Sequence, residues 1–173
     1  MLRRPAYTIG HVQGAGGPTR VLMTLTSHTV RLDISSAFDM LDFVEVVGGH
    51  MSRMVGFDED TLHWISIAVR ESVANAMKHG NLGDEAKRVM VEFSTSPADH
   101  PTELTIVVQD QGEGFDPDEV ADPLAPENLL KSSGRGIFLI RSFMDEVVHR
   151  RIPEGGMEIR MVKRHPGPAG ATP

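Results

Sequence analysis

The chain has no cysteine. It therefore carries no disulfide framework, no thiolate zinc site and no cysteine nucleophile. No uninterrupted apolar run exceeds about five residues, far short of the ~20 that a membrane-spanning helix needs. Basic charge is also in short supply. Seventeen Lys and Arg stand against 24 Asp and Glu, a net charge of −7, which argues against nucleic-acid binding across the whole surface. Met1-Leu2-Arg3-Arg4-Pro5 leads into a polar, Gly-rich stretch and not a secretory apolar region, so a cytoplasmic location is expected. There is no Gly-x-x-x-x-Gly-Lys-Ser/Thr loop, no His-Glu-x-x-His and no calcium-loop pattern. What is present is 173 residues, 40% of them hydrophobic, enough for one domain with a real core.

Composition divides the chain into a flexible arm over 1–19, a folded domain over 20–164 and a Pro/Gly/Ala tail over 165–173. Arg20 to Ile34 is Thr- and Val-rich and reads as strand. Ser35 and Ser36 can cap a helix running to about Val55, with a kink possible at Gly48-Gly49. Asp58 opens a second helix that ends near His79, where Gly80 and Asn81 supply the stop. Val89–Ser94 and Glu103–Gln109 read as strands, Gly136–Asp145 as helix, and 146–152 with 157–163 as a closing hairpin. Helices early and antiparallel strands late predict an α+β sandwich, not a βαβαβ fold. Trp64 and the ten methionines read most simply as core or gap fillers.

On the second helix Leu62, Ile65, Val69, Val73 and Ala76 fall within roughly 80° of one another and form a core stripe. Glu71, Asn75, Lys78 and His79 project on the opposite side. By itself that is an ordinary solvated face. The order of residue types suggests more, because Glu71 and Asn75 lie one turn apart, with side-chain origins about 6 Å from each other. A carboxylate can take a proton from a nucleophile, and an amide oxygen can complete the oxygen shell of Mg²⁺. That pairing suits phosphoryl transfer.

Thr105-Ile106-Val107-Val108 is a buried-strand run ending in Asp110-Gln111-Gly112-Glu113-Gly114-Phe115. A carboxylate at such a strand end can accept from an exocyclic amine, while flanking glycines let the backbone approach a flat ring. A plain hairpin or strand-to-loop turn is the commoner reading of those residues alone. Ser132-Ser133-Gly134-Arg135-Gly136 precedes a helix, and freed N–H groups at a helix start make an anion site, or simply a flexible loop. Between them the loop is acidic, and in a compact domain a polar loop of this length reads as a lid. Asn75-bound Mg²⁺, Lys78, Lys131 and Arg135 are the cations that could offset that acidity. Of the eight histidines only His79 falls in the constellation.

Taken in this order, the three segments resemble the GHKL ATP-binding fold shared by gyrase, the heat-shock chaperones and histidine kinases. Glu71 to Asn81 resembles its N-box, Asp110 to Phe115 its first glycine box, and Gly134 to Gly136 its second. The Asn75-Ala-x-x-His79-Gly80 form, and the run from Gly136 through Val147, look most like the anti-sigma-factor serine/threonine kinases. The resemblance spans about residues 20–164. It implies a Bergerat-type two-layer sandwich, a four- to five-stranded mixed sheet on three main helices, with ATP held under a lid.

The same resemblance implies the site: Glu71 as general base, Asn75 on Mg²⁺, Asp110 on the adenine amine. Gly112, Gly114 and Phe115 would shape the adenine pocket. Lys131, Ser133, Gly134, Arg135, Gly136 and Ile137 would lie at the phosphates, joined by Lys78 and His79 from the N-box. The implied activity is phosphorylation of a STAS-domain antagonist by a kinase that also binds a sigma factor, often as a homodimer. Two departures stand out. Gly156-Met157 occupies the place of a Gly-Thr pair, and the second glycine box has only two glycines. A non-catalytic, ATP-gated protein that sequesters a sigma factor or STAS partner is the alternative reading. A methyltransferase is disfavoured, because Asp116 stands where its third glycine would be and no doubly wound sheet is expected.

Overall fold

The computed structural model describes residues 20–22, 28–97, 100–113, 135–153 and 155–165. The expected arm, the tail beyond His165 and nearly all of the expected lid lie outside those residues. Six strands form one sheet: β1 (Arg20–Leu22), β2 (Thr29–Ser35), β3 (Arg88–Ser96), β4 (Glu103–Gln109), β5 (Glu146–Arg151) and β6 (Met157–Arg164). Their spatial order is β1-β2-β3-β4-β6-β5. Three helices accompany them, α1 (Leu41–Val55), α2 (Glu59–Asn75) and α3 (Arg135–Phe143).

The α+β sandwich is as expected, with two differences in the sheet. The single strand expected over Arg20–Ile34 is two, β1 and β2, paired antiparallel with Arg20 opposite Asp33. The sheet is also antiparallel at every pair, not mixed. The cause lies in the connections. Helices α1 and α2 form an out-and-back pair that returns the chain to the end where β2 stopped, so β3 must run the other way. The connection that contains α3 ends at the opposite end, from which β5 and β6 form a hairpin.

Alternation with period two sets the core. Leu32 and Ile34 of β2, Val89, Val91 and Phe93 of β3, and Leu104, Ile106 and Val108 of β4 are buried under the helices. The opposite face is polar and carries cross-strand ion pairs, among them Arg160–Glu146 at 2.9 Å and Arg164–Glu103 at 2.9 Å. These are partly exposed and contribute little individually.

The helices depart from expectation in three places. Neither Ser35 nor Ser36 caps α1. Ser35 still belongs to β2, Ser36 donates its N–H to Lys87 O at 3.1 Å, and a 3₁₀ turn over Phe38–Met40 starts the helical segment. The glycine pair does not break α1, which is continuous from Leu41 to Val55. Gly48 faces the sheet instead, where a Cβ would lie 3.1 Å from the Phe93 ring. The missing side chain permits close helix–sheet approach, a benefit that helix propensity does not register. Trp64 is not a core residue: it is 36% exposed and stacks on Phe143 of α3, centroids 3.7 Å apart and planes 8° from parallel. Several methionines do fill the core, including Met51, Met77, Met144 and Met161.

Candidate functional site

Helix α2 begins at Asp58, whose side chain accepts the Thr61 N–H at 2.8 Å. Its inner face buries Leu62, Ile65, Ala68, Val69, Ser72 and Val73. Beyond Asn75 the coil widens into a π-helical turn over Ala76–Gly80, closed by Asn81 N–H on Ala76 O at 2.7 Å. Such turns are rare and recur at functional sites. This one rotates everything after residue 76 away from its α-helical position. His79 lines the pocket described below and Lys78 does not, though both are exposed.

Asn81 is fully buried and acts as a latch. Its Nδ2 donates to Arg88 O at 3.0 Å, and its Oδ1 accepts the Gln111 N–H at 2.8 Å. Gln111 completes the link by accepting the Arg88 N–H at 2.7 Å. The end of the π turn, the start of β3 and the segment after β4 are thereby joined. The sequence suggests only a helix stop at this position.

The latch places Gly80 directly on the Asp110 carboxyl group. A Cβ on Gly80 would lie 2.3 Å from that carboxyl carbon, and one on Gly112 would lie 2.2 Å from Gly80 O. Both positions therefore exclude side chains. Asp110 is itself buried, and its Oδ1 accepts N–H groups of Gly112 at 2.9 Å and Met157 at 3.1 Å. Among the described residues no donor reaches Oδ2. From the β5–β6 side, Arg151 holds the loop start by donating to Glu113 O at 2.9 Å.

At the other end α3 begins against α2. A Cβ on Gly136 would lie 2.6 Å from Glu71 Oε2 and 3.3 Å from Asn75 Nδ2. Glycine is thus what lets a helix start meet a carboxylate and an amide at once. Between the two ends lies a cavity of about 430 Å³. Asn75, Ala76 and His79 bound it on the α2 side, Ile137 and Ile140 on the α3 side, and Val108, Met157 and Ile159 form its sheet wall. Asp110 and the exposed Leu82 line it as well.

Of the residues that sequence reasoning assigns, Asn75, His79, Asp110 and Ile137 line this cavity, and Gly112 and Gly136 adjoin it through the close approaches above. Glu71 sits beside it under the start of α3. Gly114, Phe115, Lys131, Ser133 and Gly134 lie outside the described residues, as does the side chain of Arg135. Met157 brings a thioether to the wall where the resembled pattern has a threonine hydroxyl. Glu158 turns to the outer face, where Gln109 and Arg150 bind it. Burial pushes its carboxyl pKa up, but the hydrogen bonds from Arg150 and Gln109 outweigh this and hold it below the ordinary value.

His149 is a titratable lining residue that the sequence reading did not single out. It follows Val147 by two on β5 and so shares its inward face, a signal that strand alternation does contain. Burial, and then the charge of Arg141, lower its pKa from 6.5. The unfolded chain therefore binds this proton more readily, so the folded state loses stability as pH falls from 6.5 through the lowered value. In urea melts, His149→Gln is expected to flatten that acid-side loss. A pH dependence unchanged between pH 7.5 and 5 would refute it.

Comparison with known proteins bears on the whole assembly. Residues 40–163 match the model of the histidine kinase-like ATPase domain. The serine-protein kinase RsbW of Staphylococcus epidermidis is 29% identical over 148 residues, covering 82% of this chain and 89% of that protein. RsbW of Bacillus licheniformis is 32% identical over 123 residues, and RsbW of Bacillus subtilis 30% identical over the same length; each alignment covers 68% of this chain and 72% of the relative. In fold, the chain is similar to a crystal structure of the RsbU and RsbW domains of a Mycobacterium tuberculosis protein, with a TM-score of 0.55 at 16% identity. That match covers 79% of this chain and 32% of the larger one.

Proposed function

The chain belongs to the histidine kinase-like ATPase domain family and, within it, to the RsbW serine-protein kinases, and from that premise we propose that it transfers phosphate from ATP to a serine or threonine of a STAS-domain antagonist. The same chain would sequester a sigma factor when the antagonist is phosphorylated, acting in the cytoplasm. No helix among the described residues is long and apolar enough to cross a membrane.

One observation carries this reading. A single cavity has at one end the carboxylate of Asp110, whose Oδ2 has no donor among the described residues, and at the other Asn75, beside which Glu71 meets the start of a helix. The first suits an adenine amine, the second a polyphosphate and the hydroxyl that attacks it. Asn75 lines the cavity and has the amide oxygen that Mg²⁺ favours, so it is the residue that would hold a phosphate-bound cation. When bound, the ion would neutralise charge on the phosphates. Glu71 would take the proton of the incoming hydroxyl, and the N–H groups opening α3 would orient the phosphate oxygens.

Incubation with ATP, Mg²⁺ and a STAS-domain partner, followed by intact mass measurement, is expected to add one phosphate to the partner. A stable complex that gains none would overturn the kinase and favour an ATP-gated binder.

A further inference from the structure

Leu82 sits where local physics favours another residue. Its φ is +58°, in the left-handed region that suits glycine or asparagine, and it is 77% exposed. A branched apolar side chain gains nothing from either condition. Neither neighbour lets it relax. Asn81 is held on one side by its latch, and on the other Gly83 donates its N–H to Met77 O at 2.9 Å. Gly83 also has positive φ (72°), so a residue suited to such backbone stands one position later while leucine occupies the first.

The place of this side chain suggests its use. Leu82 lines the cavity, and the Asn81–Gln111 hydrogen bond ties its neighbour to the residue following Asp110. It therefore stands at the Asp110 end of the pocket, away from the Glu71–Asn75–Gly136 end. The cavity wall there is apolar, formed by Val108, Met157 and Ile159. A flat ring whose amine reaches Asp110 would lie against that wall, and among the described residues lining the cavity Leu82 is the exposed large hydrophobic.

We propose that Leu82 is the outer lip of the nucleobase site, an apolar side chain held out over the pocket mouth to cover the exposed side of a bound purine. This rests on the nucleotide reading given above and adds to it a base-contacting residue. The left-handed backbone holds the side chain outward, and its exposure in the free protein becomes contact area once a base is seated. Covering about 50 Å² of apolar surface corresponds to about eightfold in affinity.

The test is calorimetric titration of the full chain with ADP and Mg²⁺, alongside thermal melts without nucleotide. Leu82→Ala and Leu82→Gly are expected to bind about five- to tenfold more weakly. Leu82→Met, which keeps the apolar reach, is expected to stay within about twofold. Leu82→Gly should melt no lower than the unmodified protein, since glycine accepts this φ, which separates a lost contact from a damaged fold. If the unmodified protein binds ADP and Leu82→Ala binds equally well, the lip is refuted while the nucleotide site stands. Weaker phosphorylation of a protein partner with unchanged ADP affinity would also refute it, by assigning Leu82 to the partner. If the unmodified protein takes up no adenine nucleotide, the nucleotide reading falls and the lip with it.

Discussion

Glu71→Ala is expected to slow phosphate transfer by about 10²–10⁴-fold, the usual contribution of a positioned general base, while ADP affinity stays within about threefold. The split follows from position. Glu71 does not line the cavity; it meets the start of α3, with Oε2 2.6 Å from where a Gly136 Cβ would be. It can serve the attacking hydroxyl without supporting the base. Removing it also leaves the buried stripe of α2 untouched, because Leu62, Ile65, Val69 and Val73 lie elsewhere on the helix. A time course of partner phosphorylation by intact mass, paired with ADP calorimetry, checks both halves. Transfer at an undiminished rate would remove Glu71 as base, and equal loss of binding and transfer would make it a structural residue.

The second large effect is the reverse. Asp110→Asn is expected to weaken adenine nucleotide binding at least about 100-fold with little change in melting temperature. The asparagine oxygen can still accept the Gly112 and Met157 N–H groups that Oδ1 accepts now, at 2.9 and 3.1 Å. The other position changes from acceptor to donor, so an incoming amine would meet an NH₂ group in a buried setting. Near-normal ADP affinity in a well-folded variant would show that the base amine does not seek this carboxylate.

The local pattern of the chain carries a good part of this architecture. Period 3.6 along Leu62–Ala76 and period two along β3 and β4 are strong because each element has one buried face. The same patterns place Asn75 and Asp110 at element ends, where side chains can meet a ligand. Residues whose role depends on long-range neighbours were less legible. Gly48 looks like a helix weakness until Phe93 lies beneath it. The helix end is a π turn, and no residue type between Ala76 and Gly80 announces it. Asn81 reads as a terminator, yet its side chain joins segments that start seven and thirty residues away. His149 needed only the alternation of β5, but its importance depends on what lies across the cavity.

The stack of Trp64 on Phe143 has a practical consequence. The protein contains a single tryptophan, and that indole lies flat against the last residue of the helix whose first turn meets Glu71 and Asn75. Its emission is thus an intrinsic, label-free optical readout of how that helix sits on its neighbour, available in the unmodified chain.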